Sequence, residues 1–145
     1  MKSVTLPLLL SLLLLTGTAT AQETKTDPAL DKTWRERVVG AWRFEHRSAT
    51  KEGAEHRERT DIRFDSDGRY TAVTAITSSV EPIKLASGGT FEVTAIDASR
   101  ASLRLVHTST DPSVLKEELT EVVEITAKDK TTLVFPGNAV LTSIP

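Results

Sequence analysis

The sequence of 145 residues contains no cysteine, so it has neither a disulfide framework nor a thiol nucleophile. It also lacks an excess of charge of one sign, because 18 Lys and Arg residues stand against 20 Asp and Glu residues. A chain with this balance has no basic field that would attract nucleic acid or an anionic membrane. We therefore expect a domain stabilised by its hydrophobic core alone, with no nucleic-acid partner.

Long hydrophobic runs are also absent. The most apolar stretch, residues 6–15 (LPLLLSLLLL), is about half the ~20 residues that a transmembrane helix needs. Lys2 precedes this stretch and an Ala-Thr-Ala processing site follows it at 19–21, which is the pattern of a signal peptide. The sequence predicts a signal peptide over residues 1–21, cleavage after Ala21, and a periplasmic or secreted protein without a stable membrane anchor. An uncleaved signal-anchor is the alternative, which the shortness of the run disfavours.

A short amphipathic helix is predicted directly after a polar segment. Residues 22–27 (QETKTD) carry no apolar side chain and predict a flexible lead. Asp27 before Pro28 is typical of a helix start, with Asp as the N-cap and Pro in the first turn. One apolar stripe at four-residue spacing follows, formed by Leu30, Trp34 and Val38. We predict a helix over residues 28–39 that packs on the rest of a single domain, residues 28–145.

From Gly40 onward apolar and polar residues alternate, which is the period of a β-strand. Residues 65–68 (DSDG) predict a hairpin turn, in which Gly68 supplies a positive φ, rather than a calcium-binding loop. Similar segments and short turns predict about eight strands in antiparallel order. Closing such a chain removes both unpaired edges, so we expect an all-β, antiparallel up-and-down barrel, with an open sandwich as the alternative. Residues 51–61 (KEGAEHRERTD) are interpreted as a solvated loop that runs into a strand, with His56 in solvent.

Four segments stand in an order that is typical of one family: residues 39–44 (VGAWRF), 62–71 (IRFDSDGRYT), 89–93 (GTFEV) and 125–135. Together they resemble the short, secreted lipocalin-like proteins of bacteria. The resemblance implies a calycin-type β-barrel that binds a small, largely apolar molecule. The last strand, residues 140–144, lacks the aromatic and basic pair that often ends these domains. The base of the barrel should then be closed in one of two ways: Arg43, Arg63 or Arg104 packs near Trp42, or Trp42 closes it unaided.

Eight side chains on the predicted inner face are candidate ligand contacts: Trp42, Phe44, His46, Phe64, Tyr70, Phe91, Leu105 and His107. Aromatic walls with a few polar groups are typical of small-molecule pockets. The alternative is a packed core, since aromatic residues make up only 5% of the chain. His46 and His107 on one lumen would also suit a transition metal, haem or acid–base chemistry. No carboxylate or cysteine stands beside them at metal-site spacing, so we expect no metal and no cofactor.

No catalytic motif such as Gly-x-Ser-x-Gly occurs in the sequence. We therefore expect an exported barrel that binds a small, largely apolar molecule and is not an enzyme. A structural or partner-binding domain and an enzyme on the same barrel are the alternatives. Binding predicts an internal void of roughly 300 Å³ or more. An enzyme predicts a deep cavity with two titratable groups within hydrogen-bond reach, and partner binding predicts an exposed apolar patch.

Overall fold

A computed structural model describes residues 27–49, 51–78 and 81–145. The predicted signal peptide and residues 22–26 of the predicted lead lie outside these ranges. One helix and eight strands occur in the order α1 (Pro28–Val38), β1 (Gly40–Ala49), β2 (Glu55–Phe64), β3 (Arg69–Thr77), β4 (Ile83–Ala95), β5 (Arg100–His107), β6 (Thr120–Ala127), β7 (Thr132–Phe135) and β8 (Ala139–Ile144). Single 3₁₀ turns, Lys116–Leu119 and Pro136–Asn138, precede β6 and β8.

Every strand pairs antiparallel with the next one, and β1 also pairs with β8. The sheet is therefore a closed up-and-down barrel, which confirms the predicted fold class and the preceding helix and rules out the open sandwich. The predicted hairpin turn joins β2 and β3, where Gly68 has a φ of 87°. Its backbone is closed by a hydrogen bond from the Asp65 nitrogen to the Arg69 oxygen, 2.8 Å apart.

The helix α1 forms at the residues that the sequence indicates. The Asp27 side chain accepts a hydrogen bond from the backbone nitrogen of Ala29 at 3.0 Å, and Pro28 occupies the first turn. Trp34 and Val38 are completely buried, so the predicted apolar stripe faces the barrel. No helix in the described part of the chain is long and apolar enough to cross a bilayer.

Helix α1 closes the end of the barrel that carries the β2–β3 and β4–β5 turns, which we call the base. The Trp34 indole nitrogen donates to the Asp97 carbonyl oxygen at 2.8 Å, and Arg37 donates to Ala98 at 3.2 Å. Arg37 also lies over the Trp34 ring, 4.8 Å from its centroid. The Trp42 indole donates to the backbone oxygen of the last helical residue, Val38, at 2.8 Å.

Both sequence-based expectations for the base are wrong. Arg43, Arg63 and Arg104 form ion pairs with Asp61, Asp65 and Glu92 instead of packing on Trp42. Trp42 is not unaided either, because it shares one buried cluster with Trp34 and Val38 of the helix. The base is closed by a helix that buries Trp34 and Val38 against Trp42.

The predicted loop over residues 51–61 is also wrong in most of its length. Strand β2 begins at Glu55, and residues 55–61 pair with β1 in continuous register. His56 is half-buried opposite Ser48 rather than fully solvated. The charged residues are cross-strand partners, as in the pair formed by Arg57 and Glu45 at 3.3 Å. The outer face of this strand is polar and charged, so its composition resembles that of a loop.

Candidate functional site

The barrel encloses a cavity of about 90 Å³. Phe135 and Pro136 border it near the β7–β8 turn, which lies at the end of the barrel opposite α1. This volume is smaller than the void of roughly 300 Å³ expected for a binding protein, and smaller than the ~150 Å³ cavity that holds benzene in another protein. The interior is nevertheless not solidly filled. The cavity suits a molecule of roughly four or five non-hydrogen atoms.

The wall of the cavity is mostly apolar. Its apolar members are Phe44, Ile62, Phe64, Ala72, Leu105, Phe135, Pro136, Ala139 and Leu141. Its polar members are Glu58, Thr60, Tyr70, Ser87, His107 and Glu121. Phe64 packs edge-on against Phe91, with ring centroids 4.9 Å apart, so this part of the wall is continuous with the base core.

Three of the polar side chains form one hydrogen-bonded chain. The Tyr70 hydroxyl forms a hydrogen bond with Nδ1 of His107, and Nε2 of His107 lies 3.3 Å from Oε2 of Glu121. A carboxylate at Glu121 can only accept, so in the neutral imidazole the proton of His107 lies on Nε2 and Nδ1 accepts from the Tyr70 hydroxyl. Both imidazole nitrogens are thereby engaged.

The sheet register brings these three residues together. Tyr70 of β3, Gly89 of β4 and His107 of β5 lie opposite one another in successive strands. Gly89 has no side chain, so the two rings meet above it, edge to face, with centroids 5.9 Å apart. Glu121 of β6 lies opposite Leu105 and is therefore a diagonal neighbour of His107.

Burial is the main influence on the Tyr70 hydroxyl, and the negative charge of Glu121 adds to it. Together they raise the pKa of Tyr70 from 10.0 to about 12. Tyr70 therefore remains a neutral hydrogen-bond donor to His107 at neutral pH.

Ser87 supplies an unusual polar group to the same wall. Its Oγ atom is buried, and the described residues provide no hydrogen-bond partner for it. Two other hydroxyls in the barrel are paired, since Oγ1 of Thr60 and Oγ1 of Thr74 lie 2.9 Å apart. Buried hydroxyl groups are nearly always hydrogen-bonded, so Ser87 is an exception that requires an explanation.

The structure places the eight candidate ligand contacts in three different environments. Five line the cavity: Phe44, Phe64, Tyr70, Leu105 and His107. Trp42 and Phe91 belong to the buried core cluster and are not among the lining residues. His46 is exposed on β1, outside the cavity, although it lies opposite the cavity residue Glu58.

Several cavity residues were not among the sequence-based candidates. Glu58 fell in the predicted loop, and Ser87 lies just before the segment 89–93 that the sequence analysis singled out. Glu121 alternates in phase with Val123 and Ile125, and this period places its side chain on the inner face. The alternation in the sequence could therefore have predicted that Glu121 faces inward. It could not have predicted the contact with His107, which depends on the register between β5 and β6.

The described ranges contain no group of three or more His, Asp or Glu side chains that could hold a metal ion. At His107, Nδ1 faces the Tyr70 hydroxyl and Nε2 faces Glu121, so each imidazole nitrogen has a hydrogen-bond partner. The arrangement offers hydrogen-bonding and proton-transfer chemistry.

Fold and site together define a small, closed, antiparallel β-barrel with a mainly apolar cavity and one internal polar cluster. This architecture is compatible with the calycin and lipocalin-like folds. In comparisons with known proteins, no family profile matches the chain, and no curated protein sequence matches it significantly.

Proposed function

We propose that this chain is an exported, lipocalin-like protein that binds a small, largely apolar molecule inside its barrel and is not an enzyme. The observation that carries the proposal is the cavity of about 90 Å³, whose wall is mostly apolar. Transfer of apolar surface from water into such a cavity is favourable by roughly 25 cal/mol per Å². The size of the cavity restricts the ligand to a few non-hydrogen atoms or to the end of a longer chain.

Export is the second part of this proposal, and it rests on residues 1–21 of the sequence. Sequencing the N-terminus of the protein recovered from its own extracytoplasmic fraction tests it. We expect the mature chain to begin at Gln22. Recovery of an intact Met1 terminus in the membrane fraction would instead support the signal-anchor alternative.

Ligand binding is tested with a variant that fills the cavity. Ala72 lines the wall and is 3% exposed, so Ala72→Leu should occupy much of the volume. Ala86 lies on the neighbouring strand with its side chain exposed, which makes Ala86→Leu the matched control. We expect pentane to shift the amide NMR signals around Phe44 and Leu105 in the wild type and in Ala86→Leu, but not in Ala72→Leu.

Two results would contradict ligand binding. Pentane that leaves these amide signals unchanged in the wild type would show that the cavity does not admit an apolar guest. Equal shifts in the wild type and in Ala72→Leu would place the guest elsewhere. Native mass spectrometry of protein purified from its own periplasm then identifies any molecule that remains bound.

Acid–base catalysis is a second candidate, favoured by the chain of Tyr70, His107 and Glu121 in the cavity. The imidazole is placed to accept the Tyr70 proton while Glu121 orients it. Hydrolysis of methyl acetate, whose five non-hydrogen atoms match the size of the cavity, tests this candidate when the released acetate is followed by NMR. Catalysis predicts turnover above the buffer rate that His107→Gln abolishes, whereas the binding proposal predicts no such turnover.

Partner binding has weaker support. Within the described ranges, the exposed large apolar side chains are Ile83, Ile96, Leu115, Val122 and Val140. They lie on β4, the β4–β5 turn, the segment before β6, β6 itself and β8, so they are spread over separate elements. A partner surface would require them to be contiguous.

A further inference from the structure

Resting on the proposed binding function, we propose that the ligand is an uncharged molecule whose apolar body carries one hydroxyl or carbonyl oxygen, and that this oxygen accepts a hydrogen bond from Ser87. The proposal combines three observations on the cavity wall: a buried hydroxyl without a partner among the described residues, carboxylates without a neighbouring Lys or Arg, and a small volume.

The position of Ser87 directs its hydroxyl toward the ligand. Ser87 lies on β4 two residues before Gly89, and therefore on the same face of the sheet. It is opposite Ala72 of β3, which also lines the cavity. A hydroxyl buried in this wall is unfavourable unless a group inside the cavity accepts its proton.

The other hydroxyl groups near the cavity take part in hydrogen bonds within the protein, so Ser87 is the hydroxyl that is available to a ligand. The Tyr70 hydroxyl proton is directed to His107, and Thr60 and Thr74 share one hydrogen bond in which either hydroxyl can donate. Ser87 is the lining hydroxyl for which the described residues supply neither a donor nor an acceptor. An oxygen on the ligand satisfies it, and a purely hydrocarbon ligand does not.

The charges on the wall select against an anionic ligand. Glu58 and Glu121 line the cavity, and none of the described lining residues is Lys or Arg. A carboxylate brought into this surface would be repelled by like charge and would lose its hydration without gaining a cationic partner.

A protonated amine is also disfavoured at this position. Glu58 and Glu121 would attract its charge, but an ammonium group carries only donors and cannot accept the Ser87 proton. The uncharged oxygen-bearing class therefore fits the wall better than either ion.

Four probes of similar size test this inference. Butan-1-ol, butanoate and butylamine each carry a different polar group on a four-carbon chain, and pentane carries none. Each has about the number of non-hydrogen atoms that the cavity accommodates. Dissociation constants, on the order of millimolar for ligands of this size, are measured from amide NMR shifts on the full mature chain. The variants are Ser87→Ala and the control Ser102→Ala, a serine of β5 outside the cavity wall.

We expect butan-1-ol to bind at least tenfold more tightly than butanoate and more tightly than butylamine. Ser87→Ala should weaken butan-1-ol about two- to tenfold, which is the net effect of one hydrogen bond, and leave pentane unchanged. Ser102→Ala should change none of the constants.

The outcomes separate this inference from the function on which it rests. If pentane binds but butan-1-ol gains nothing over it, or if Ser87→Ala leaves butan-1-ol unaffected, Ser87 is not the anchor and the binding function stands. Butanoate or butylamine that binds as tightly as butan-1-ol overturns the charge selection. If none of the probes shifts the cavity amides, both the inference and the binding function fail.

Discussion

Tyr70 and His107 lie on strands that are not neighbours, and their side chains meet over Gly89 of the strand between them. Strands in a sheet are about 4.8 Å apart, so a side chain on β4 would normally separate residues of β3 and β5. A Cβ atom at Gly89 would meet the backbone of Val106 and His107 on β5. The close pairing of β4 with β5 that brings the two rings together therefore requires glycine at this position.

Gly89→Ala should strongly destabilise the protein. A Cβ atom on Gly89 would overlap with the carbonyl oxygen of Val106 on β5, and backbone atoms cannot move away as a flexible side chain would. We expect a loss of roughly 3 kcal/mol or more in the free energy of unfolding, measured with urea. Thr90→Ala, at the exposed next position of the strand, should cost less than about 1 kcal/mol. Equal effects of the two substitutions would contradict the close approach of β4 and β5.

Tyr70 is the only tyrosine in the chain, so tyrosinate absorbance reports on it alone. Because burial and then Glu121 raise the pKa of Tyr70 to about 12, its ionisation should occur well above the ordinary value of 10.0. Glu121→Gln removes the negative charge and should lower the pKa of Tyr70. Glu92→Gln, on the outer face of β4, is the control and should leave the midpoint unchanged. A wild-type midpoint near 10 would show that the hydroxyl is solvated.

The same pKa shift predicts a loss of stability in alkali. Since the pKa of Tyr70 is higher in the folded protein than in the unfolded chain, its contribution is present in full below pH 10 and is lost as the pH rises toward 12. Urea unfolding across this range should show a falling free energy of unfolding. In Tyr70→Phe that decrease should be smaller, and an identical decrease would contradict the assignment.

Trp34→Phe should weaken the packing of the helix on the base. The substitution keeps a ring in the fully buried site but removes the indole donor, so the Asp97 carbonyl oxygen loses its 2.8 Å hydrogen bond. We expect a decrease of roughly 1–3 kcal/mol in the free energy of unfolding. Lys32→Ala, on the exposed face of the same helix, should change it by less than about 0.5 kcal/mol. Comparable values for both variants would mean that the indole hydrogen bond does not hold the helix.

Asp97 should make the protein sensitive to acid. The backbone N–H of Ser99, the Arg100 guanidinium and the Ser99 hydroxyl lower the pKa of Asp97 from 3.8 to about 2. A folded pKa below the unfolded one means that the stabilisation is present above about pH 3.8 and is lost as the pH falls toward 2. Asp97→Asn should show a shallower loss of stability over this range in urea unfolding. A slope equal to that of the wild type would contradict the prediction.

Much of the fold follows from local patterns in the sequence. The Asp27-Pro28 start and the stripe through Trp34 locate the helix, and the turn that contains Gly68 locates a hairpin. These signals are readable because capping, helical periodicity and positive φ depend on a few neighbouring residues. The period-two alternation also placed Phe64 and Tyr70 inside the barrel, where both contribute to the cavity wall.

The same alternation failed where a strand is polar on its outer face. Residues 55–58 look like a loop because their charges are mixed, yet they pair with β1 and bring Glu58 to the cavity. His46 shows that the inward phase of a strand does not guarantee burial. It has the phase of Phe44 but lies beyond the enclosed part of the barrel, so it is exposed.

The sequence by itself determined the order of the elements and, for most strands, the face on which each side chain lies. Only the tertiary structure decided that Tyr70, His107 and Glu121 form one cluster, that the buried Ser87 hydroxyl has no partner among the described residues, and that α1 closes the base. Alternation specifies a face but not the register between strands. Register decides which residues of β3, β5 and β6 meet, and it is a property of the closed barrel as a whole.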